Sequence, residues 1–94
     1  MKTGSQLIAE ERERQIKEEG FIPEDDKIYI NVELSNAAAC YIASSQANIM
    51  NGVICSDVMN LWPWESEWWK PSKDPIRDLV KAGALIAAEI DRLQ

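Results

Sequence analysis

Hydrophobic and polar positions along this chain sort into three stretches of helical character joined by two irregular ones. Residues 5–19 hold no proline or glycine, are dense in Glu, Arg, Gln and Lys, and stop at Gly20, which suits the left-handed position after a helix. Apolar side chains there are few: Leu7, Ile8, Ala9 and Ile16. Arg12 falls between Ile8 and Ile16 on the same helical face, so it is expected to turn inward, its stem covering the core edge and its guanidinium meeting a carboxylate or a ligand. The run Glu10-Glu11-Arg12-Glu13-Arg14 reads as a solvated face laced by pairs such as Glu10 with Arg14.

A second helix is predicted over residues 37–50, capped by Ser35 or Asn36 and stopped by Asn51-Gly52. Its faces are Ala, Cys and Ser, which let a neighbouring backbone come close, so it is expected at the centre of the domain with a small-residue face free for self-association. The third helix has the firmest local signal. Asp74 is an N-cap with Pro75 at the first helical position, where a missing N–H costs nothing. Ile76, Val80, Gly83, Ala87 and Ile90 then recur at alternating spacings of four and three, broadened by Leu79, Ile86 and Leu93. That stripe is expected to be buried along its whole length.

Between the first two helices, Phe21-Ile22-Pro23 anchors the chain, residues 24–27 are polar, and residues 28–32 are β-prone. This segment either pairs with residues 52–55 in one short hairpin or is simply extended. Between the second and third helices stand Trp62-Pro63-Trp64 and Trp68-Trp69-Lys70-Pro71, whose prolines argue against a continuous helix; a short helical turn fits residues 65–69. The predicted architecture is therefore mainly α: one domain over residues 1–94, three helices, an irregular Trp-rich connection and at most one short β-hairpin.

Size and charge narrow the function. Ninety-four residues support one core, and no apolar run approaches the ~20 residues that span a bilayer. A formal charge of −6 argues against grasping phosphate backbones, so neither nucleic acid nor membrane is an expected partner. The chain has no histidine, which removes the commonest general base and zinc ligand together. Cys40 and Cys55 lack metal-site spacing and read as free buried thiols. No apolar leader follows the first residues, so a reducing cytoplasm, that of a host cell, is the expected location. Apolar burial at ~25 cal/mol per Å² barely exceeds chain entropy in so small a domain, so a homo-oligomer is expected.

The tryptophans are the outlying feature: all four lie between Trp62 and Trp69, in a chain with three other aromatics. They either roof the helical core or form a stacking platform for a planar ligand such as a nucleobase, with Lys70 and Arg77 placed for a phosphate. Glu24, Asp25, Asp26 and Glu33 are the candidate oxygen ligands for magnesium, although adjacent acids in a polar loop are usually solvated. The all-helical nucleotide pyrophosphohydrolase pattern needs a Glu-Glu-x-x-Glu followed by a Glu-x-x-Asp, but Glu10-Glu11 is followed by Arg14 and Glu89 by Arg92. No catalytic residue, resident metal or cofactor is expected. Charge mimicry of nucleic acid is a further use of acidic proteins, for which −6 is modest.

Six stretches carry a resemblance: residues 8–16, Glu19-Gly20-Phe21 with Pro23-Glu24-Asp25-Asp26, Ala37-Ala38-Ala39-Cys40-Tyr41, the two Trp-Pro stretches, and residues 77–86. Together, and over nearly the whole chain, they resemble a widespread family of small phage and prophage proteins of unassigned activity. Members of that family usually carry Trp where Phe21 stands and a His-Asp-Asp near Asp25-Asp26, so any role of that histidine is absent or replaced here. The Gly-aromatic and Asp-Asp stretch before a helix, with Arg77-Asp78 opening the last one, also looks like the ryanodine-receptor repeat. That likeness implies an adenine-type nucleotide as ligand, with residue-level transfer limited to Phe21, Asp26 and Arg77.

The leading expectation is thus a phage-encoded, non-enzymatic protein that captures a nucleotide-like small molecule, a host immune signal, as a counter-defence sponge. Its candidate contacts are Arg12, Phe21, Asp26, Tyr41, Trp62, Trp64, Trp68, Trp69, Lys70 and Arg77. Two alternatives stand beside it: an inhibitor or adaptor docking on a host protein through the Trp patch, and a magnesium-dependent nucleotide pyrophosphohydrolase-like enzyme.

Overall fold

The computed structural model describes residues 1–18, 33–50 and 60–94. Among the described residues the domain is mainly α, with three helices, α1 (Gly4–Glu18), α2 (Glu33–Met50) and α3 (Pro75–Leu93), and a short 3-10 turn at Ser66–Trp68 in the Trp-rich connection. The described residues include no strand, and no helix among them is long and apolar enough to cross a membrane. The candidate hairpin segments, Cys55, and Phe21, Glu24, Asp25 and Asp26 lie outside the described residues.

Local chemistry accounts for the helix starts. At α1, Gln6 N donates to Thr3 Oγ1 at 3.2 Å while Thr3 N donates to Gln6 Oε1 at 2.8 Å, a reciprocal capping box that starts the helix one residue before the predicted position. At α3, Ile76 N donates to Asp74 Oδ1 at 3.0 Å with Pro75 just inside the helix, as its sequence predicts. α2 begins at Glu33, so Ser35 and Asn36 lie inside its first turn and are not its caps; the Ser35 hydroxyl instead donates to Glu89 Oε2 at 3.0 Å.

The central helix is α3, which packs against both α1 and α2, and not α2 as the small-residue argument predicts. That argument holds for the contact itself. Ala37, Ala38, Cys40, Ser44 and Ser45 of α2 are buried, with Ala82 and Ala88 of α3 in the same core, so the face expected to serve self-association is largely used within the chain. Leu34, Tyr41 and Leu85 complete the cluster, and Trp62, Trp64 and Trp69 pack on it.

The expected buried stripe of α3 is corrected. Val80 is buried, but Ile76 is 61% exposed, Ile90 52% and Leu93 69%, with Leu79 and Ile86 also exposed. Two alanine-lined surfaces approach closely and place three indoles over their edge, and this geometry turns the Val80-Ala84-Leu85-Ala88 side inward in place of the Ile/Leu side. The solvated-face reading of residues 10–14 is corrected in part: Glu10 and Glu13 are exposed, but Glu11 and Arg12 are buried, because their charges find partners in the fold, and Gln15 is buried beside them.

Gly83 sits where α1 crosses α3. A β-carbon there would fall 2.6 Å from Ile8 Cδ1 and 2.8 Å from Ile8 Cγ1. Gly83→Ala is expected to lower stability by about 1 kcal/mol in urea unfolding, because overpacking of ~1–3 kcal/mol exceeds a helix-propensity gain of ~1 kcal/mol. In that background Ile8→Ala becomes cheaper, with a coupling of about 1 kcal/mol in the double-mutant cycle. An additive cycle would mean that Ile8 swings aside freely.

Candidate functional site

The Trp-rich connection is held down at defined points. Trp62 is its hub: the ring lies 5.4 Å from Trp64 and 5.8 Å from Tyr41, both edge-on, and 5.0 Å from Trp69. Trp69 in turn lies 4.8 Å from Tyr41. The Trp62 indole N–H donates to the Glu65 carbonyl at 3.1 Å, closing the turn. The backbone of Lys70 is clamped twice, its N–H donating to Tyr41 Oη at 3.4 Å and its carbonyl accepting from Lys81 Nζ at 2.6 Å. Trp68 stands apart from this cluster, 52% exposed, with the Lys70 ammonium 5.5 Å from its ring centroid.

Under the connection lies a cleft of about 830 Å³, within the ~300–1,000 Å³ range of small-molecule sites. Its lining combines the aromatic rings of Tyr41, Trp62, Trp64 and Trp68 with the polar side chains Glu11, Arg14, Gln15, Lys70, Arg77 and Lys81, and Leu85. Trp62 and Trp64 pack on the core and also border the cleft, Trp69 only packs on the core, and Trp68 only lines the cleft.

The polar floor is organised around Glu11, whose side chain is 1% exposed. Arg77 Nη2 lies 2.7 Å from its Oε1, Arg14 donates to both of its oxygens at 2.8 and 2.7 Å, and Gln15 Nε2 adds a bond of 3.2 Å. Burial disfavours the Glu11 carboxylate, but the hydrogen bonds and charges of Arg14 and Arg77 together outweigh it, and the pKa lies below the ordinary value. Gln15 is oriented by that carboxylate, and its own Oε1 is buried without a hydrogen-bond partner among the described residues. Lys81 is held below its ordinary pKa, first by burial and next by the repulsion of Arg77. Its ammonium lies 5.4 Å from the Tyr41 ring centroid.

No family model, curated protein or solved structure matches the chain. The cleft is therefore read from its own geometry.

Of the candidate residues named from sequence, Tyr41, Trp62, Trp64, Trp68, Lys70 and Arg77 come together around the cleft. Trp69 supports the wall from behind, packed on Tyr41 and Trp62. Arg12 does not line the cleft; it is buried with Nη2 3.7 Å from Asp91 Oδ2, the inward carboxylate pairing that its position predicts. Phe21 and Asp26 lie outside the described residues. Six polar lining residues were missed: Glu11, Arg14, Gln15, Glu65, Ser66 and Lys81, of which Glu11, Arg14, Gln15 and Lys81 belong to the helices. A signal for them exists, because Glu11, Arg14 and Gln15 share one face of α1 and Lys81 follows Arg77 by one turn of α3.

Proposed function

We propose that this protein is a non-enzymatic binding protein that captures a planar, anionic small molecule of the nucleotide class in the Trp-walled cleft. One observation carries this reading. In a protein of net charge −6, the cleft gathers four cationic side chains, Arg14, Lys70, Arg77 and Lys81, against two carboxylates, Glu11 and Glu65, beside a wall of aromatic rings. Rings offer stacking faces to a base, and a local cation excess offers a seat for a phosphate. Glu11, bonded by two arginines, is a poor proton acceptor, which favours capture over turnover. A concave site also suits a small molecule better than the face of a partner protein. In the phage setting that the sequence resemblance implies, such capture would withdraw a host immune signal.

Isothermal calorimetry and tryptophan fluorescence against mono-, di- and cyclic nucleotides provide the test. Binding heat with quenching is expected for at least one class. Trp68→Ala should weaken that binding about ten- to hundredfold, the scale of one stacked base, while stability moves by no more than about 0.5 kcal/mol because the ring is half exposed. Absence of both heat and quenching across the panel would end the reading.

A further inference from the structure

We infer that the anionic group of the ligand seats on Lys70 and Lys81, and not on the two arginines of the cleft floor. This rests on the nucleotide-capture reading above and specifies which side chains recognise the phosphate.

The arginines are already committed. Arg14 donates through Nε and Nη2 to the two oxygens of Glu11 and through Nη1 to Glu18 Oε2 at 3.2 Å, while Arg77 closes on Glu11 from the other helix at 2.7 Å. A phosphate that took the donors aimed at Glu11 would have to displace a carboxylate that is 1% exposed, leaving it charged, buried and stripped of partners, and one that met only the remaining Arg77 donors would face a guanidinium already paired with that carboxylate.

The lysines are placed differently. Lys81 is half-buried on the cleft side of α3 and meets a neutral carbonyl, that of Lys70, and the face of Tyr41. Lys70 reaches over the Trp68 ring. Neither ammonium forms an ion pair among the described residues, and both line the cleft beside the rings on which a base would stack. A carbonyl dipole and a ring quadrupole cancel only part of an ammonium charge, and a phosphate would supply the missing anion without breaking any ion pair.

The environment of Lys81 adds a second signature. Arg77 and Arg14 repel its charge while Asp78 and Glu11 attract it, and burial dominates, so that the free protein holds its proton less tightly than an ordinary lysine. An anion arriving beside it restores that affinity, and binding at alkaline pH should take up protons from the buffer.

The experiment pairs each of adenosine, guanosine, cytidine and uridine with its 5′-monophosphate, titrated into the wild-type protein, Lys81→Gln, Lys70→Gln and the double variant. Gln at position 81 retains a donor for the Lys70 carbonyl, and a thermal melt of each variant reads any structural loss separately. In the wild type at least one monophosphate should bind about tenfold or more tighter than its nucleoside. Each single variant should weaken that monophosphate about tenfold and the double about a hundredfold, with nucleoside affinity changed less than about twofold. Calorimetry of the wild type at pH 9 in buffers of different ionisation heat should show proton uptake that disappears in Lys81→Gln. A wild type that binds none of the eight compounds would overturn this assignment, and the capture reading falls with it if di- and cyclic nucleotides also fail to bind. If the wild type binds and the double variant keeps its preference for the monophosphate, only the lysine assignment falls.

Discussion

Asp78→Ala is expected to lower the unfolding free energy by about 3 kcal/mol, read as a shift of the urea midpoint at constant slope. The carboxylate is completely buried and ties three segments together: it accepts from the Ser44 hydroxyl of α2 at 2.7 Å and from the Ser72 backbone N–H of the connection at 2.7 Å, while standing in the first turn of α3. Hydrogen bonds to an ionised group contribute ~1.5–3 kcal/mol each, and alanine takes that acceptor from the buried Ser44 hydroxyl and the part-buried Ser72 N–H. The positive end of the α3 dipole adds to the preference for a charge. Asp78→Asn, which keeps the shape and loses the charge, should cost less, about 1–2 kcal/mol. Because Ser72 follows directly on the Trp-rich connection, Asp78→Ala should also loosen the aromatic wall, seen as a red shift of tryptophan emission before global unfolding. An alanine variant as stable as the wild type would mean that Ser44 and Ser72 find other acceptors.

Glu11→Gln should cost about 2 kcal/mol at pH 7. Breaking a fully buried ion pair costs ~3–5 kcal/mol, and the smaller figure reflects arginine partners that are themselves about a third exposed to solvent. The sign of the pH dependence follows from the lowered folded pKa of Glu11, set by burial opposed and outweighed by Arg14 and Arg77. Protonation favours the unfolded state, so the contribution is whole above the ordinary value of 4.5 and is lost as the pH falls through the lower folded value. Wild type and variant should therefore converge in stability on acidification below 4.5, measured by urea unfolding at pH 7, 4.5 and 3. Glu89, whose pKa is lowered first by its hydrogen bond from Arg92, adds to the same acid limb in both proteins. A stability difference that stays constant down to pH 3 would assign the loss to packing and not to charge.

Much of the helical framework is legible locally. Asp74-Pro75 encodes the start of α3 because an N-cap and a proline at the first helical position act within two residues. The Thr3-to-Gln6 capping box was equally local, and starting α1 at Ser5 missed it. Which face each helix buries was not legible. The spacing of Ile76, Leu79, Ile86, Ile90 and Leu93 satisfies a buried stripe, yet these side chains are exposed, because periodicity records that a helix has an apolar side but not which neighbour approaches closest.

The same division holds at the cleft. Clustered indoles with Lys70 and Arg77 mark its neighbourhood by composition alone, whereas Glu11 and Arg14 read as solvated until Arg77 of a distant segment is brought onto the Glu11 carboxylate. What the sequence determined by itself was the set of helices, the break at the tryptophans and the lack of histidine chemistry, since propensity, capping and residue inventory act over a few positions. Only the tertiary structure decided that α3 is central, that Arg12 turns to Asp91, and that the cations of two helices share one cleft with the aromatic wall. Burial and charge pairing depend on which surfaces meet, and that is a property of the packed chain.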